Sequence, residues 1–164
     1  KKLLIGVTGD THNNLKNISL ICKIFNKIKP SFVLHTGDIT LPKSLHSFSA
    51  LKMPLIGVFG NNDQLEKDKL RIESKKFDCN LFEEPHLIEL NNRKIYLMHH
   101  PDLITESMLK EGDFIVHGHT HRYRSEKINK ALIFNPGECA GFMKGKNQIG
   151  LIDLKKIKSE VITF

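Results

Sequence analysis

The chain has 164 residues, 40% of them hydrophobic and 26% charged, which suits a globular protein with one domain over residues 1–164. No apolar run approaches the length that spans a bilayer, so we expect no membrane partner. The formal net charge of +7 is compatible with a polyanion as partner, but the lysines are scattered rather than clustered, so we expect nucleic acid only as a substrate.

Three apolar runs in the first half predict strands, since each is short and rich in β-branched residues. The first run follows a basic pair, but its length and the lack of a small-residue cleavage site favour a strand over a signal peptide. The three runs are LLIGVT (3–8), SFVLHT (31–36) and PLIGVF (54–59).

Two helices are predicted between these strands. Apolar residues at three- and four-residue spacing follow the first strand, with Asn13 or Asn14 as the N-cap and Pro30 as the stop. A shorter helical stretch covers about residues 43–50. The alternation of strands and helices predicts parallel strands with right-handed crossovers.

The second half is richer in predicted strands. A helix is also expected over 101–110, with Pro101 in its first turn. The change of pattern without a break in composition predicts an α/β fold, a four-layer α-β-β-α sandwich of two mixed sheets packed face to face with helices outside. The strands are HLIEL (86–90) and KIYLMH (94–99), which form a hairpin, then DFIVHG (113–118), ALIFNP (131–136), QIGLID (148–153) and KSEVITF (158–164).

Polar residues follow the first three predicted strands. Asp10 follows the first strand, Asp38 the second and Asn61 the third. Because ligand sites in parallel sheets lie at the carboxyl ends of the strands, we expect these side chains at one rim.

Histidines at alternate positions extend this set of candidate ligands. Residues two apart in an extended segment point the same way, so Asp10 and His12 can share a metal ion, as can His119 and His121. The same alternation in the stretch HGHTH leaves His117 eligible as well.

The donor types indicate a divalent ion. Carboxylate, imidazole and amide oxygen together suit Mn²⁺, Fe²⁺, Ni²⁺ or Zn²⁺, and the absence of thiolates argues against a structural zinc site. Each fragment alone is also typical of a turn or a helix cap. Five fragments that each close an apolar strand, with His99 ending one of them, are hard to explain by turn chemistry.

The pattern D-x-H, G-D, G-N-x-D, H and G-H-x-H over residues 10–121 resembles the signature of the calcineurin-like metallophosphoesterase superfamily. The short spacing and NPGE (135–138) are similar to its small single-domain bacterial and archaeal phosphodiesterases and to the metallophosphoesterase-like subunit of retromer. This resemblance covers essentially the whole chain.

The resemblance implies two divalent metal ions, with Mn²⁺ favoured and Ni²⁺, Fe²⁺, Zn²⁺ or Mg²⁺ as alternatives. A hydroxide bridging the ions would attack phosphorus in line, so no side chain is needed as a covalent nucleophile. The implied ligands are Asp10, His12, Asp38 and His121 for one ion, and Asp38, Asn61, His99 and His119 for the other.

Two positions depart from the family pattern. Asn62 stands where many relatives have a histidine that protonates the leaving group, and His100 stands where many have glycine. His100 is therefore the candidate proton donor, with His117 as an alternative. Asp63 is expected to steady the metal-binding loop, whereas His117 and His35 are expected either to orient a ligand or to pack in the interior.

These features predict a metal-dependent phosphodiesterase that acts on a phosphate-ester substrate. The alternatives are a phosphomonoesterase and a metal-binding interaction scaffold like the retromer subunit. Intact residues at all seven predicted ligand positions favour the enzyme. The 3 cysteines are far apart and form no disulfide framework, which predicts a reducing, cytoplasmic location. The sequence predicts no particular oligomeric state.

Overall fold

This computed structural model describes residues 3–137, 139–141 and 145–164. Its helices are α1 (Leu15–Ile28), α2 (Pro42–Ser47) and α3 (Lys67–Ser74). Its strands are β1 (Leu4–Thr8), β2 (Val33–His35), β3 (Leu55–Val58), β4 (Cys79–Phe82), β5 (His86–Leu90), β6 (Arg93–Leu97), β7 (Phe114–Val116), β8 (Arg124–Ile128), β9 (Ala131–Asn135), β10 (Gln148–Asp153) and β11 (Lys158–Thr163).

The strands form two mixed sheets, as expected. The six-stranded sheet has the order β11-β10-β1-β2-β3-β4, with β1 to β4 parallel and the last two strands of the chain antiparallel. The five-stranded sheet has the order β5-β6-β7-β9-β8, in which the three central strands are parallel and the two edge strands antiparallel. Parallel pairing places the carboxyl ends of neighbouring strands at the same edge of each sheet.

An apolar layer fills the space between the sheets. Alternate residues of β1, Ile5 and Val7, are buried there with Ile95 and Phe114 of the second sheet. The period of two along each strand thus directs one face of each sheet into a shared interior, which confirms the face-to-face packing predicted from the sequence.

Helix α1 covers the outer face of the first sheet. Its buried residues Ile18, Ile21 and Phe25 recur at helical spacing and pack with strand residues. The Asn14 side chain caps the helix by accepting the N–H of Asn17 at 3.0 Å, so Asn14 rather than Asn13 is the N-cap.

The outer face of the second sheet is covered differently from the prediction. The prediction of a helix over 101–110 is wrong, because this segment forms two 3-10 turns, Pro101–Leu103 and Glu106–Met108. Extended residues at positions 104 and 105 separate the turns. The apolar side chains of the segment still pack on the sheet. Their burial explains why the sequence has the apolar spacing that suggested a helix.

Among the described helices and strands, β4, α3 and β8 were not predicted, and neither was a 3-10 helix over Asn61–Glu66. Strand β8 reads RSEKI and is mostly exposed at a sheet edge, so it lacks an apolar signal. Helix α3 has few apolar residues, and only its Leu70 joins the core. Within the described ranges, no helix is both long and apolar enough to cross a bilayer.

Candidate metal centre

The loops after β1 and β2 are tied together at the rim of the first sheet. The N–H of Asp10 donates to the carbonyl of Gly37 at 2.9 Å, and the N–H of His12 donates to the carbonyl of Asp38 at 2.9 Å. Both carboxylates are buried. The rim expected from the strand ends is therefore present, and it holds two acidic side chains out of bulk water.

The backbone of the paired candidates is left-handed rather than extended. The φ angle is 50° at Asp10 and 47° at His12, and 73° at His119 and 58° at His121. Extended alternation is therefore the wrong explanation for why each pair lies near the rim. Aspartate and histidine tolerate this region better than most residues, and such conformations persist where the surrounding structure holds them, often at functional sites.

The two histidines of the GHTH segment approach different partners. Nε2 of His121 lies 3.7 Å from Oδ1 of Asp10, whereas Nδ1 of His119 lies 3.2 Å from Nε2 of His99. The structure therefore separates this pair, although alternation in the sequence allowed them to share one ion.

Potential metal-binding atoms gather in three overlapping groups in the described part of the chain. Within each group, one donor atom from each residue lies within 4.8 Å of the others. The groups are Asp10, His12 and His121; Asp10, Asp38 and His99; and His99, His100 and His119.

His99 shows most directly that the site suits a cation. Its Nδ1 donates to the carbonyl of Thr36 at 2.9 Å, so in the neutral ring Nε2 carries a lone pair. That Nε2 lies 2.8 Å from Oδ1 of Asn61 and 3.4 Å from Oδ2 of Asp38. Three electron-rich atoms converge, and a positive ion would stabilise this arrangement.

Burial keeps His99 in the neutral form that metal binding requires. Desolvation lowers the pKa of His99 to about 4, and the nearby Asp38 carboxylate only partly opposes this shift. The ring is therefore uncharged at neutral pH, and Nε2 is available as a ligand.

Asp63 braces the loops that carry the candidate ligands. Its Oδ2 accepts the N–H of Gly60 at 2.7 Å and of Asp38 at 2.9 Å, and its Oδ1 accepts the N–H of Thr40 at 2.6 Å. Burial raises the pKa of Asp63, while these backbone donors oppose the rise. The carboxylate thus joins the loops after β2 and β3.

His35 packs in the interior and bridges two loops of the site. The ring is buried and packs edge-on against Phe48, with centroids 5.4 Å apart. Its Nδ1 accepts the N–H of Gly37 at 3.0 Å, so Nε2 donates to Oγ1 of Thr11 at 3.0 Å. Burial lowers the pKa of His35 to about 3, so this neutral bridge between two site loops persists over the physiological range.

His117 is buried and belongs to none of the three metal-binding groups. Its Nδ1 lies 2.9 Å from the carbonyl of Gly118, and its Nε2 lies 3.3 Å from Nη1 of Arg124. Burial lowers the pKa of His117. His117 is therefore packed between the GHTH turn and Arg124 of β8.

Asn62 and His100, the two residues that depart from the resembled pattern, each contact a carboxylate. Asn62 donates to both oxygens of Asp38, through its backbone N–H at 3.0 Å and its side-chain amide at 2.9 Å. Nδ1 of His100 lies 2.7 Å from Oε2 of Glu84. Asn62 therefore orients a carboxylate, and His100 is itself held by one.

Sequence reasoning did not identify Glu84 or the Thr36 carbonyl. Glu84 precedes a proline in a loop between two short strands, and nothing in its local sequence indicates its distant partners. In the NPGE segment, Asn135 donates to Oγ1 of Thr120 at 3.1 Å and so supports the GHTH turn. Glu138 of that segment lies outside the described residues.

Gly37 allows the second-strand loop to approach His99. Its φ is +108°, a conformation that side-chain-bearing residues rarely adopt. A Cβ at this position would lie 2.8 Å from Nδ1 of His99. The glycine is therefore required by both the backbone conformation and the space beside the histidine.

A family model described as the calcineurin-like phosphoesterase superfamily domain matches residues 3–156. Phosphodiesterase MJ0936 of Methanocaldococcus jannaschii is 33% identical over 156 residues, which cover 93% of each chain.

Solved structures with a similar fold were also found. A structure described as a novel archaeal phosphodiesterase has a TM-score of 0.87 and 29% identity, covering 98% of this chain and 99% of its own. The phosphoesterase Yfce from E. coli has a TM-score of 0.73 and 17% identity, covering 97% and 98%. Vps29 from Entamoeba histolytica, complexed with Zn²⁺, has a TM-score of 0.63 and 17% identity, covering 98% of each chain. The last two likenesses concern the fold alone.

Proposed function

Because this chain belongs to the calcineurin-like phosphoesterase superfamily and is a metal-dependent hydrolase of phosphoric esters, we propose that it is a phosphodiesterase with two metal ions. The convergence of Nε2 of His99 with oxygen atoms of Asn61 and Asp38 carries the proposal. The names of the archaeal relatives support diesters as the preferred class.

Two neighbouring sets of donors would hold the ions, with Asp38 common to both. The close contacts of His99 support the second set, and the grouping of Asp10 with His12 and His121 supports the first. The proposed sets are Asp10, His12, Asp38 and His121, and Asp38, Asn61, His99 and His119.

The ions, when bound, would make water nucleophilic at neutral pH and stabilise negative charge on the phosphoryl oxygens. The protein positions the donors. Asn62 and Asp63 hold Asp38 through its carboxylate and its backbone, respectively, and the Thr36 carbonyl directs Nε2 of His99 towards the centre. Only two carboxylates contribute charge to the proposed sets, so an anionic ester would meet a net positive site.

Mn²⁺ is the first metal to test, with Ni²⁺, Fe²⁺, Zn²⁺ and Mg²⁺ as comparisons. Metal-stripped protein is expected to hydrolyse a chromogenic bis-aryl phosphodiester when Mn²⁺ is added, and excess chelator is expected to abolish the reaction. The matching aryl phosphomonoester is measured in parallel. Faster hydrolysis of the monoester would overturn the diester preference, and no turnover with any of these ions would refute the proposed function.

A further inference from the structure

Three imidazole rings form a compact trio beside the second proposed metal position. The ring centroids are 4.7 Å apart for His99 and His100, 4.6 Å for His100 and His119, and 5.0 Å for His99 and His119. One nitrogen from each ring lies within 4.8 Å of the others. The ligand set above uses only two of these three rings.

The neighbouring residues His99 and His100 can approach the same metal position because they lie beyond the end of strand β6. Successive side chains of an extended strand point to opposite faces. Strand β6 ends at Leu97, and Oε1 of Glu84 then accepts the N–H of His99 at 2.9 Å and of His100 at 2.8 Å. A single carboxylate oxygen thus holds the turn that places both rings near His119.

The second oxygen of Glu84 determines which nitrogen of His100 is available. Oε2 lies 2.7 Å from Nδ1 of His100, and a carboxylate accepts hydrogen bonds, so Nδ1 carries the proton and Nε2 a lone pair in the neutral ring. Histidines that bind metals commonly donate their other ring N–H to a carboxylate, which orients the ring and increases its basicity. The His100–Glu84 pair has this arrangement.

We propose that His100 is a third imidazole ligand of the second metal ion and that Glu84 is its positioning residue, an inference that rests on the proposed function. Two nitrogens bound to one ion at bond lengths of about 2.1 Å would lie roughly 3 Å apart. The donor nitrogens of the trio lie within 4.8 Å of one another, so closure of the trio needs a ring movement of less than about 2 Å. The His100 side chain is 29% exposed, so the interior does not enclose it.

A third imidazole changes which ion the second position prefers. It adds a donor without adding negative charge, so the centre keeps its attraction for phosphate. Imidazole donors suit Zn²⁺, Ni²⁺ and Fe²⁺, whereas Mg²⁺ and Mn²⁺ prefer oxygen donors. The second position therefore favours Zn²⁺, Ni²⁺ and Fe²⁺ over Mg²⁺ and Mn²⁺.

Metal titration of the full chain tests this assignment. Wild type, His100→Ala, Glu84→Gln and the control His46→Ala are stripped of metal and titrated with Zn²⁺ and with Mn²⁺ against a chromophoric chelator. His46 is a suitable control because it is exposed on α2 and also pairs with a glutamate, its Nδ1 lying 3.2 Å from Oε2 of Glu73. Circular dichroism verifies that each variant is folded.

His100→Ala is expected to weaken the binding of one of two Zn²⁺ ions by about 100-fold, and Glu84→Gln by about tenfold. Mn²⁺ binding should change less, by about threefold. Co²⁺-loaded His100→Ala should also differ from wild type in its visible d–d absorption, whereas His46→Ala should match wild type. If His100→Ala is unstable, the loss of Zn²⁺ affinity in Glu84→Gln carries the test.

Zn²⁺ affinities of His100→Ala and Glu84→Gln equal to that of His46→Ala would overturn the inference. Unchanged affinity together with slower cleavage of esters with poor leaving groups would overturn it in favour of His100 as proton donor. A wild-type protein that binds fewer than two ions would instead refute the two-metal function itself. The two failures are thus distinguished by the wild-type stoichiometry.

Discussion

At the scale of single residues, hydrogen bonds from neighbouring groups orient two of the candidate ligands, His99 and Asp38. The Thr36 carbonyl binds Nδ1 of His99 and leaves Nε2 facing Asn61 and Asp38. Asn62 donates hydrogen bonds to both oxygens of Asp38. Because His99 and Asp38 are held before an ion arrives, their binding requires little rearrangement of the protein.

The shared position of Asp38 leads to a test at this scale. Asp38→Ala is expected to lower the metal content from two ions towards none, because it removes a ligand from both proposed sets. Metal content is measured after dialysis by elemental analysis. Asp78→Ala, which removes an exposed carboxylate, is the control and should keep two ions. Two fully occupied positions in Asp38→Ala would contradict the shared-ligand assignment.

At the scale of elements, the contact between β1 and α1 depends on a residue without a side chain. A Cβ on Gly6 would lie 2.7 Å from Cε1 of Phe25, which is fully buried. The close approach lets α1 cover the strand that leads to Asp10. Helix packing and the position of the first candidate ligand are therefore linked through this strand.

Overpacking at this contact is predicted to reduce stability. Gly6→Ala should lower the free energy of unfolding by about 1–3 kcal/mol, because the added methyl group displaces the Phe25 ring. The penalty should be smaller in a Phe25→Leu background, which removes the atoms that clash. Denaturant unfolding of the two single variants and the double variant gives the coupling energy. Additive effects would show that the two residues do not compete for space.

At the scale of the whole molecule, folding buries neutral histidines where strand ends from both sheets meet. Burial lowers the pKa of His35 to about 3 and of His99 to about 4. Both histidines are protonated near pH 6.5 in an unfolded chain. The unfolded chain therefore binds protons before the folded chain does, and acid favours unfolding.

The pH dependence of stability follows from these shifts. Stability of the metal-free protein should be greatest above about pH 6.5 and should fall between about pH 6 and pH 4, by about 1.4 kcal/mol per pH unit for each histidine. Denaturant unfolding with chelator present measures this slope. His35→Gln should reduce it by about 1.4 kcal/mol per pH unit, whereas His46→Gln should not. An unchanged slope in His35→Gln would contradict the contribution of His35.

Much of the architecture could be predicted from local patterns. Apolar runs located β1, β2 and β3, and the spacing of Ile18, Ile21 and Phe25 identified α1. Local patterns failed where the chain is polar, as in β8, or where apolar spacing does not require a helix, as in the 3-10 turns of 101–110. In those segments, pairing or packing with distant residues decides the conformation.

The sequence by itself determined the chemical types of the candidate ligands and their order at strand ends, because these depend on residue identity and strand periodicity. Only the tertiary structure decided which of these side chains come into contact. It separated His119 from His121 and placed Glu84 against His100, 16 positions away along the chain. The physical reason is that left-handed turns and contacts between distant loops direct these side chains, and neither leaves a periodic signal in the sequence.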